Sequence, residues 1–252
     1  MQTKQTRFLK DSTSHSTNTV TLGVLVWLLL NLLLVREANA QGTILFNNYV
    51  PSKVQAVIYG PPAGSIVTSQ LGNGATGYPP GTTSWAGWTL VGATGGTMPV
   101  GSTTLAALLG AQGTGQAESS LQPASSSGIT SFRSGAGAGV LYATTPTFNN
   151  ISKDAAGATV EMVAWDNSSG LYSTWALAKP AWMNGLLLPV GTSGTFNVLN
   201  IGGDINTPPN LLGLRSFNLY WIPEPAMLEL LGLGTGMLLI AWRRRLSLRS
   251  RV

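Results

Sequence analysis

Hydrophobic and polar positions divide the chain into three regions. Two long apolar runs stand near the ends, one from Val20 to Val35 and one from Ala226 to Trp242. Between them, short apolar runs alternate with clusters of Gly, Pro, Asn and Ser. Long unbroken runs predict helices of membrane length, whereas short runs separated by turns predict strands. We therefore predict an N-terminal segment 1–40, a central domain 41–222 and a C-terminal segment 223–252.

The pattern of the central region predicts an all-β fold. Its residues are rich in Gly, Thr, Ser, Asn and aromatics and poor in charge, which favours short strands over amphipathic helices. The clearest strand is Ala158–Trp165, where Val160 and Met162 alternate with Thr159 and Glu161. Several short strands at this spacing predict a β-sandwich or jelly-roll-like domain. The predicted strands are Thr43–Val50, Val54–Tyr59, Trp85–Val91, Ala158–Trp165, Leu171–Leu177, Gly194–Asn200 and Leu214–Trp221.

The stretch from Gly92 to Gly139 is less regular, because small residues dominate it. Loops are expected there, with a strand or a short helix embedded. The segment Thr103–Gly110 is predicted to form the short helix.

The N-terminal region has the pattern of a secretory signal peptide. Basic residues precede the apolar run, and Ala38-Asn39-Ala40 follows it as a small-x-small cleavage site. Cleavage between Ala40 and Gln41 is expected. The alternative is an uncleaved N-terminal membrane anchor, which the charged pair Arg36-Glu37 close to the cut favours.

The C-terminal region combines three features. Pro223-Glu224-Pro225 precedes the second apolar run, and Arg243, Arg244 and Arg245 follow it. The run from 226 to 242 would rise roughly 25 Å as a helix, near the short limit for crossing a bilayer. The basic tail 243–252 is expected to stay on the cytoplasmic face, because moving its arginines through hydrocarbon is costly. A Gly232–Gly236 spacing within the run permits close helix pairing, or serves processing.

The net charge of +5 belongs to the two ends of the chain. The central region 41–222 carries five basic and five acidic side chains, so it is neutral. A neutral exported domain has no basic patch for nucleic acid, and nucleic-acid binding is not expected. The high isoelectric point is therefore a signal of membrane topology.

The central region offers little catalytic chemistry. The single histidine is His15, in the predicted signal peptide, and the chain has no cysteine. Without these residues a mature domain cannot form a Ser-His-Asp triad or an ordinary zinc site, and no catalytic residue, metal or cofactor is predicted. Paired-carboxylate hydrolysis by two of Asp154, Glu161 and Asp166 remains open, although exposed surface positions are favoured for all three.

Two binding roles stay open beside this expectation. Calcium bound by Asp166, Asn167 and Asp204 is an alternative, because oxygen ligands suit that ion. Aromatic side chains can also stack on sugar rings, and the domain is rich in tryptophan. Packing in the core is favoured for most of them, and a regular strand would place Trp85 and Trp88 on opposite faces. The tryptophans are Trp85, Trp88, Trp165, Trp175, Trp182 and Trp221.

The C-terminal pattern closely resembles the PEP-CTERM sorting signal of Gram-negative bacteria. The resemblance rests on Pro223-Glu224-Pro225, the Gly/Leu-rich run and Arg243-Arg244-Arg245. It implies processing by exosortase, a membrane cysteine transpeptidase, in cells that make exopolysaccharide. By this resemblance the Pro-Glu-Pro tripeptide is the recognition element and the arginines are the cytoplasmic stop. Two departures are the acidic Glu229 within the run and a tail that continues to Val252.

The chain is therefore expected to be a non-enzymatic exported protein of the cell surface or extracellular matrix. Its expected partners are signal peptidase, an exosortase-type enzyme, the membrane through the C-terminal helix, and exopolysaccharide. One alternative is a secreted glycan-active or glycan-binding protein. Another is an envelope protein that stays permanently anchored.

Overall fold

The computed structural model describes residues 41–61, 68–94, 101–125, 128–186 and 189–222. These residues form mostly strands with few helices, which confirms the predicted all-β class. One α-helix, α1, spans Trp175–Met183, and short 3-10 turns occur at Gly101–Thr103, Glu118–Ser120 and Gly135–Gly137. The strands are β1 (Gln41–Thr43), β2 (Tyr49–Val50), β3 (Val54–Gln55), β4 (Thr104–Gln112), β5 (Gln122–Pro123), β6 (Ile129–Ser131), β7 (Thr147–Ser152), β8 (Gly157–Asp166), β9 (Val190–Thr192) and β10 (Phe196–Leu199).

The main sheet is organised around β4 and β8. These two strands pair antiparallel along the whole of β4, from Thr104 opposite Asp166 to Gln112 opposite Ala158. β10 and β9 pair with the other edge of β8, and β5 and β6 pair with the other edge of β4. β4 and β8 are therefore hydrogen-bonded on both edges, which places them at the centre of the fold.

Both faces of this sheet are buried. On one face, Leu108, Val160 and Met162 pack among apolar side chains from the first and last parts of the described chain. On the other face, Val163 and Trp165 pack beneath α1. In β4, which has no polar face, the sequence reads as a nearly continuous apolar run, whereas β8 keeps the polar residues Thr159 and Glu161 on the α1 side.

The predicted helix at Thr103–Gly110 is wrong, because this segment is most of β4. After the two threonines at its start, the segment contains Leu, Ala and Gly but no Val or Ile. Its Leu and Ala residues favour a helix when the sequence is considered locally. Burial between the two packed faces overrides that preference. Gly110 fits this position because a Cβ there would lie 2.7 Å from the Phe148 ring.

The predicted strand at Leu171–Leu177 is also wrong, since α1 begins at Trp175. Trp175, Ala178 and Ala181 are buried at three-residue intervals along α1 and cover the sheet. Most of that periodic pattern lies beyond the predicted segment, which explains the error.

The remaining strand predictions have mixed outcomes. Ala158–Trp165 is confirmed as β8, and Gly194–Asn200 contains β10. Thr43–Val50 and Val54–Tyr59 are broken into short pieces. Trp85–Val91 and Leu214–Trp221 form no continuous strand, and only isolated bridges such as Tyr59 with Leu90 and Val190 with Tyr220 occur in them.

The predicted signal peptide, 1–40, and the predicted helix near 226–242 lie outside the described residues. Within the described part, no helix is both long enough and apolar enough to span a bilayer.

Candidate functional site

An aromatic cleft lies beside the short strands β2 and β3, and its volume is about 420 Å³. β2 and β3 pair antiparallel, with Tyr49 opposite Gln55, and this pairing forms one wall. The turn that carries Trp88 and the loop that carries Thr76 form the others. We define the aromatic cleft by six of its lining residues, Tyr49, Gln55, Tyr59, Thr76, Trp88 and Ser216.

Three aromatic rings build the cleft wall around Tyr59. The Tyr59 and Trp85 rings are stacked, with centroids 4.1 Å apart and planes 5° from parallel. Trp88 meets Trp85 edge-on, with centroids 5.2 Å apart. The Trp85 indole N–H donates to the carbonyl of Gly72 at 2.9 Å, which fixes the middle ring of the three. Edge-on and stacked pairs stabilise each other beyond simple burial, so Tyr59 and Trp88 are held in place.

Polar side chains of the cleft are available to a ligand. Among the described residues, no hydrogen bond is made by the side chains of Gln55, Tyr59, Thr76 or Trp88. The Tyr59 phenol is protonated at neutral pH and can donate a hydrogen bond, and burial raises its pKa further. The cleft thus presents aromatic surface together with amide, hydroxyl and indole groups.

A buried asparagine, Asn48, holds the backbone immediately before β2 in place. The Asn48 amide donates to the carbonyls of Ala56 and Gly139, each at 2.8 Å, and its oxygen accepts from the Leu141 N–H at 2.9 Å. Asn48 is fully buried. One carboxamide therefore joins the end of the β2–β3 pair to the 139–141 segment.

Two more buried asparagines hold chain segments that flank the cleft residues Ser216 and Tyr59. Asn73 donates to the carbonyl of Pro79 at 2.9 Å and accepts from the N–H of Ser216 at 2.9 Å, so it closes the 73–79 loop onto the chain near Ser216. Asn218 accepts from the Gln70 N–H at 2.7 Å and donates to the Thr68 carbonyl at 2.8 Å. We call Asn48, Asn73 and Asn218 the asparagine pins.

Glu161 is buried, so the predicted surface position is wrong for this acid. It lies in the middle of β8, opposite Leu109 of β4 and on the α1 side of the sheet. Burial raises the pKa of its carboxyl, and the nearby Glu118 carboxylate raises that pKa further. A hydrogen bond with the Thr192 side chain and the charge of Lys179 oppose this rise. Lys179 of α1 also contacts Glu118, with Nζ 3.5 Å from Oε1.

Asp154 has a structural role. Its carboxylate accepts backbone N–H groups of Asp204 at 3.0 Å and Asn206 at 2.7 Å, and it also accepts from Ile205. The Asn206 hydrogen bond is the largest cause of a lowered Asp154 pKa. Lys153 pairs with Asp204 at 2.8 Å beside it. Asp154 thus anchors the 204–206 turn, where the chain returns past the turn before β8.

The predicted calcium ligands do not come together. The backbone of Asp204 is bound by Asp154, which precedes the first residue of β8. Asp166 is the last residue of β8 and so lies at the other end of that strand. Asp166 accepts hydrogen bonds from the N–H and the hydroxyl of Ser168, at 2.9 and 2.8 Å. Asn167 accepts from the Tyr172 N–H, at 2.8 Å. The part of the chain that the structure describes contains no group of three His, Cys, Asp or Glu placed to hold a metal ion.

The tryptophans divide between core and cleft. Trp165 and Trp175 are buried beneath and on α1, which confirms the core interpretation for them. Trp85 and Trp88 lie on either side of a turn and contact each other, so the expectation of opposite strand faces is wrong.

The sequence interpretation missed the other cleft residues. They are distant in sequence and share no periodic pattern, and only the density of tyrosine and tryptophan near turns hinted at them. The missed residues are Tyr49, Gln55, Tyr59, Thr76 and Ser216.

Of the predicted sorting and cleavage residues, only Gln41 lies in the described part. It opens β1 and pairs with Ser152 of β7. The others lie outside the described residues, namely Ala38, Ala40, Pro223, Glu224, Pro225, Arg243, Arg244 and Arg245.

No protein-family model, curated protein or solved structure matches this chain significantly.

Proposed function

We propose that this chain is an exported, non-enzymatic protein of the cell surface or extracellular matrix. Signal peptidase removes segment 1–40, and the C-terminal segment 223–252 holds the precursor in the inner membrane. An exosortase-type enzyme then recognises Pro223-Glu224-Pro225, and the β-domain reaches the exterior, where it associates with exopolysaccharide. The segment Arg243-Arg244-Arg245 is the cytoplasmic stop.

The observation that carries this proposal is the placement of the β-domain between two membrane-length apolar runs. Strand β1, Gln41–Thr43, lies on the C-terminal side of the proposed cleavage site, so cleavage there leaves this strand in the mature domain.

The proposed architecture of the delivered domain is a β-sandwich. The sheet around β4 and β8 is one layer. β1, β7 and the β2–β3 pair supply the other, and their neighbourhood contributes Ile44, Phe46 and Phe148 to the core against that sheet. Apolar burial between two β-layers supports this arrangement.

A non-enzymatic role is preferred to glycan hydrolysis. A hydrolase needs two carboxyl groups facing one cleft. Asp154 and Asp166 instead bind their own chain, and Glu161 lies beneath α1. The aromatic cleft contains none of these acids.

Substitution of the recognition tripeptide tests the sorting step in the native cell. Glu224→Ala should leave the precursor in the membrane with its arginine tail, because the enzyme loses its recognition element. Glu229→Ala is the matched control, since it removes an acid five residues later, and it should be processed normally. Mass spectrometry of membrane and released fractions measures both. Normal release of Glu224→Ala contradicts the sorting role, and an intact tail on all wild-type protein favours a permanent anchor instead.

A further inference from the structure

We propose that the aromatic cleft is the saccharide-binding site of this domain and that it takes an uncharged oligosaccharide. This inference rests on the proposed association with polysaccharide and names its site and ligand class. The six side chains that define the cleft combine aromatic rings with neutral hydrogen-bonding groups. A pyranose has the same two-sided chemistry, with an apolar C–H face and a rim of hydroxyl groups.

Ring stacking is the first part of the fit. Trp85 covers one face of Tyr59 at 4.1 Å, and Trp88 is held edge-on to Trp85. Tyr59 and Trp88 therefore line the cleft from a rigid aromatic backing. Fixed aromatic surface binds an apolar sugar face with little loss of side-chain entropy.

Unused hydrogen-bonding capacity is the second part. The Gln55 amide, the Thr76 hydroxyl and the Trp88 indole N–H make no hydrogen bond to another described residue. The protonated Tyr59 phenol adds a further donor. A few convergent polar groups in a mainly apolar cleft orient a ligand by its hydroxyl groups.

Charge selects the ligand class. None of the ten described residues that line the cleft is Asp, Glu, Lys, Arg or His. A uronic acid or sulfated sugar would lose water without gaining a cationic partner there, which is unfavourable. An uncharged sugar meets no such penalty.

Size and rigidity agree with this ligand. A volume of about 420 Å³ lies within the range of roughly 300–1,000 Å³ typical of small-molecule sites. Asn48 holds the chain before β2, and Asn73 holds the Thr76 loop against Ser216. The walls are thus set before the ligand arrives, which lowers the entropic cost of binding.

Calorimetric titration of the full chain tests the proposal, in a detergent without a sugar headgroup. The probes are neutral hexamers of glucose, mannose and N-acetylglucosamine, with a galacturonic acid hexamer as the charged counterpart. At least one neutral hexamer should bind, and the acidic hexamer should not. Trp88→Ala should weaken the neutral complex by about tenfold or more, as expected for a central aromatic contact. Trp88→Phe should recover part of that loss.

Trp182→Ala is the matched control, because Trp182 is also half-buried but packs on Tyr220 away from the cleft. It should bind like the wild type, and thermal melting of each variant verifies folding. Equal affinity of folded Trp88→Ala and wild type would overturn the site and leave the export proposal standing. Absence of binding to every neutral hexamer, or preference for the acidic one, would overturn the ligand class. The Glu224→Ala sorting experiment is independent of both results.

Discussion

Two parts of this domain hold their backbone in different ways. In the β4–β8 sheet, successive residues pair along the whole of β4, and apolar side chains cover both faces. Around the aromatic cleft, strands are two residues long, and the asparagine pins replace the missing pairing. Irregular chain can therefore be held in place without long strands where buried carboxamides satisfy its backbone groups.

The two devices respond differently to mutation. Apolar burial is non-directional, so the sheet loses stability in proportion to the volume removed. A pin is directional, and its removal leaves several buried backbone groups without partners at once. Substitutions in the sheet core and at the asparagine pins therefore distinguish stabilisation by apolar burial from stabilisation by buried hydrogen bonds.

The largest loss of stability is expected from Phe148→Ala. Phe148 is fully buried in the core beneath the main sheet and packs where Gly110 leaves room for its ring. Truncating such a side chain should lower the free energy of unfolding by about 3–5 kcal/mol. Denaturant unfolding measures the change. A loss below about 1 kcal/mol would show that this core relaxes freely, contrary to the close packing described.

Asn48→Ala should follow, with a loss of about 3 kcal/mol, because it removes three buried hydrogen bonds. Asn150→Ala is the matched control, since Asn150 donates one bond, to the Gly110 carbonyl at 2.8 Å, and is only half-buried. It should lose about 1 kcal/mol. Equal losses for the two variants would contradict the role given to the pin.

Glu161→Gln should give the smallest change in the free energy of unfolding, and it should stabilise the folded protein. Burial raises the Glu161 pKa, so the folded state loses stability as pH rises above the ordinary carboxyl value of 4.5 and through the higher folded pKa. The neutral amide carries no such loss, and the variant should melt at a higher temperature than the wild type near pH 8.

Near pH 4 the difference should vanish, because both side chains are then uncharged. Glu118→Gln removes only a neighbouring exposed charge and should give a smaller gain. Melting curves from pH 4 to 8 distinguish these results. A wild type that is more stable than Glu161→Gln at high pH would show instead that the ionised carboxylate is satisfied beneath α1.

Local sequence pattern predicted the regular part of the fold only where it alternates or is β-branched. β8 could be predicted because Val160 and Met162 alternate with Thr159 and Glu161. The Leu- and Ala-rich sequence of β4 instead resembles that of a helix. β4 becomes a strand because β8 and the two packed faces enclose it, and that information is non-local.

The aromatic cleft was even harder to predict from the sequence. The Asn48 pin joins positions 91 and 93 residues away in sequence, and no periodicity announces such a contact. Phe46-Asn47-Asn48 and Phe148-Asn149-Asn150 were visible as similar tripeptides, yet Asn48 holds the cleft side and Asn150 holds β4. The different roles of Asn48 and Asn150 follow from their burial and hydrogen-bond partners, which the similar tripeptide sequences do not reveal.

The most direct test of the account is the mass and terminal sequence of the protein recovered outside the native cell. We expect a chain that begins at Gln41 and lacks Arg243, Arg244 and Arg245. Recovery only of full-length protein from the cytoplasm, with Met1 and Val252 in place, would contradict it.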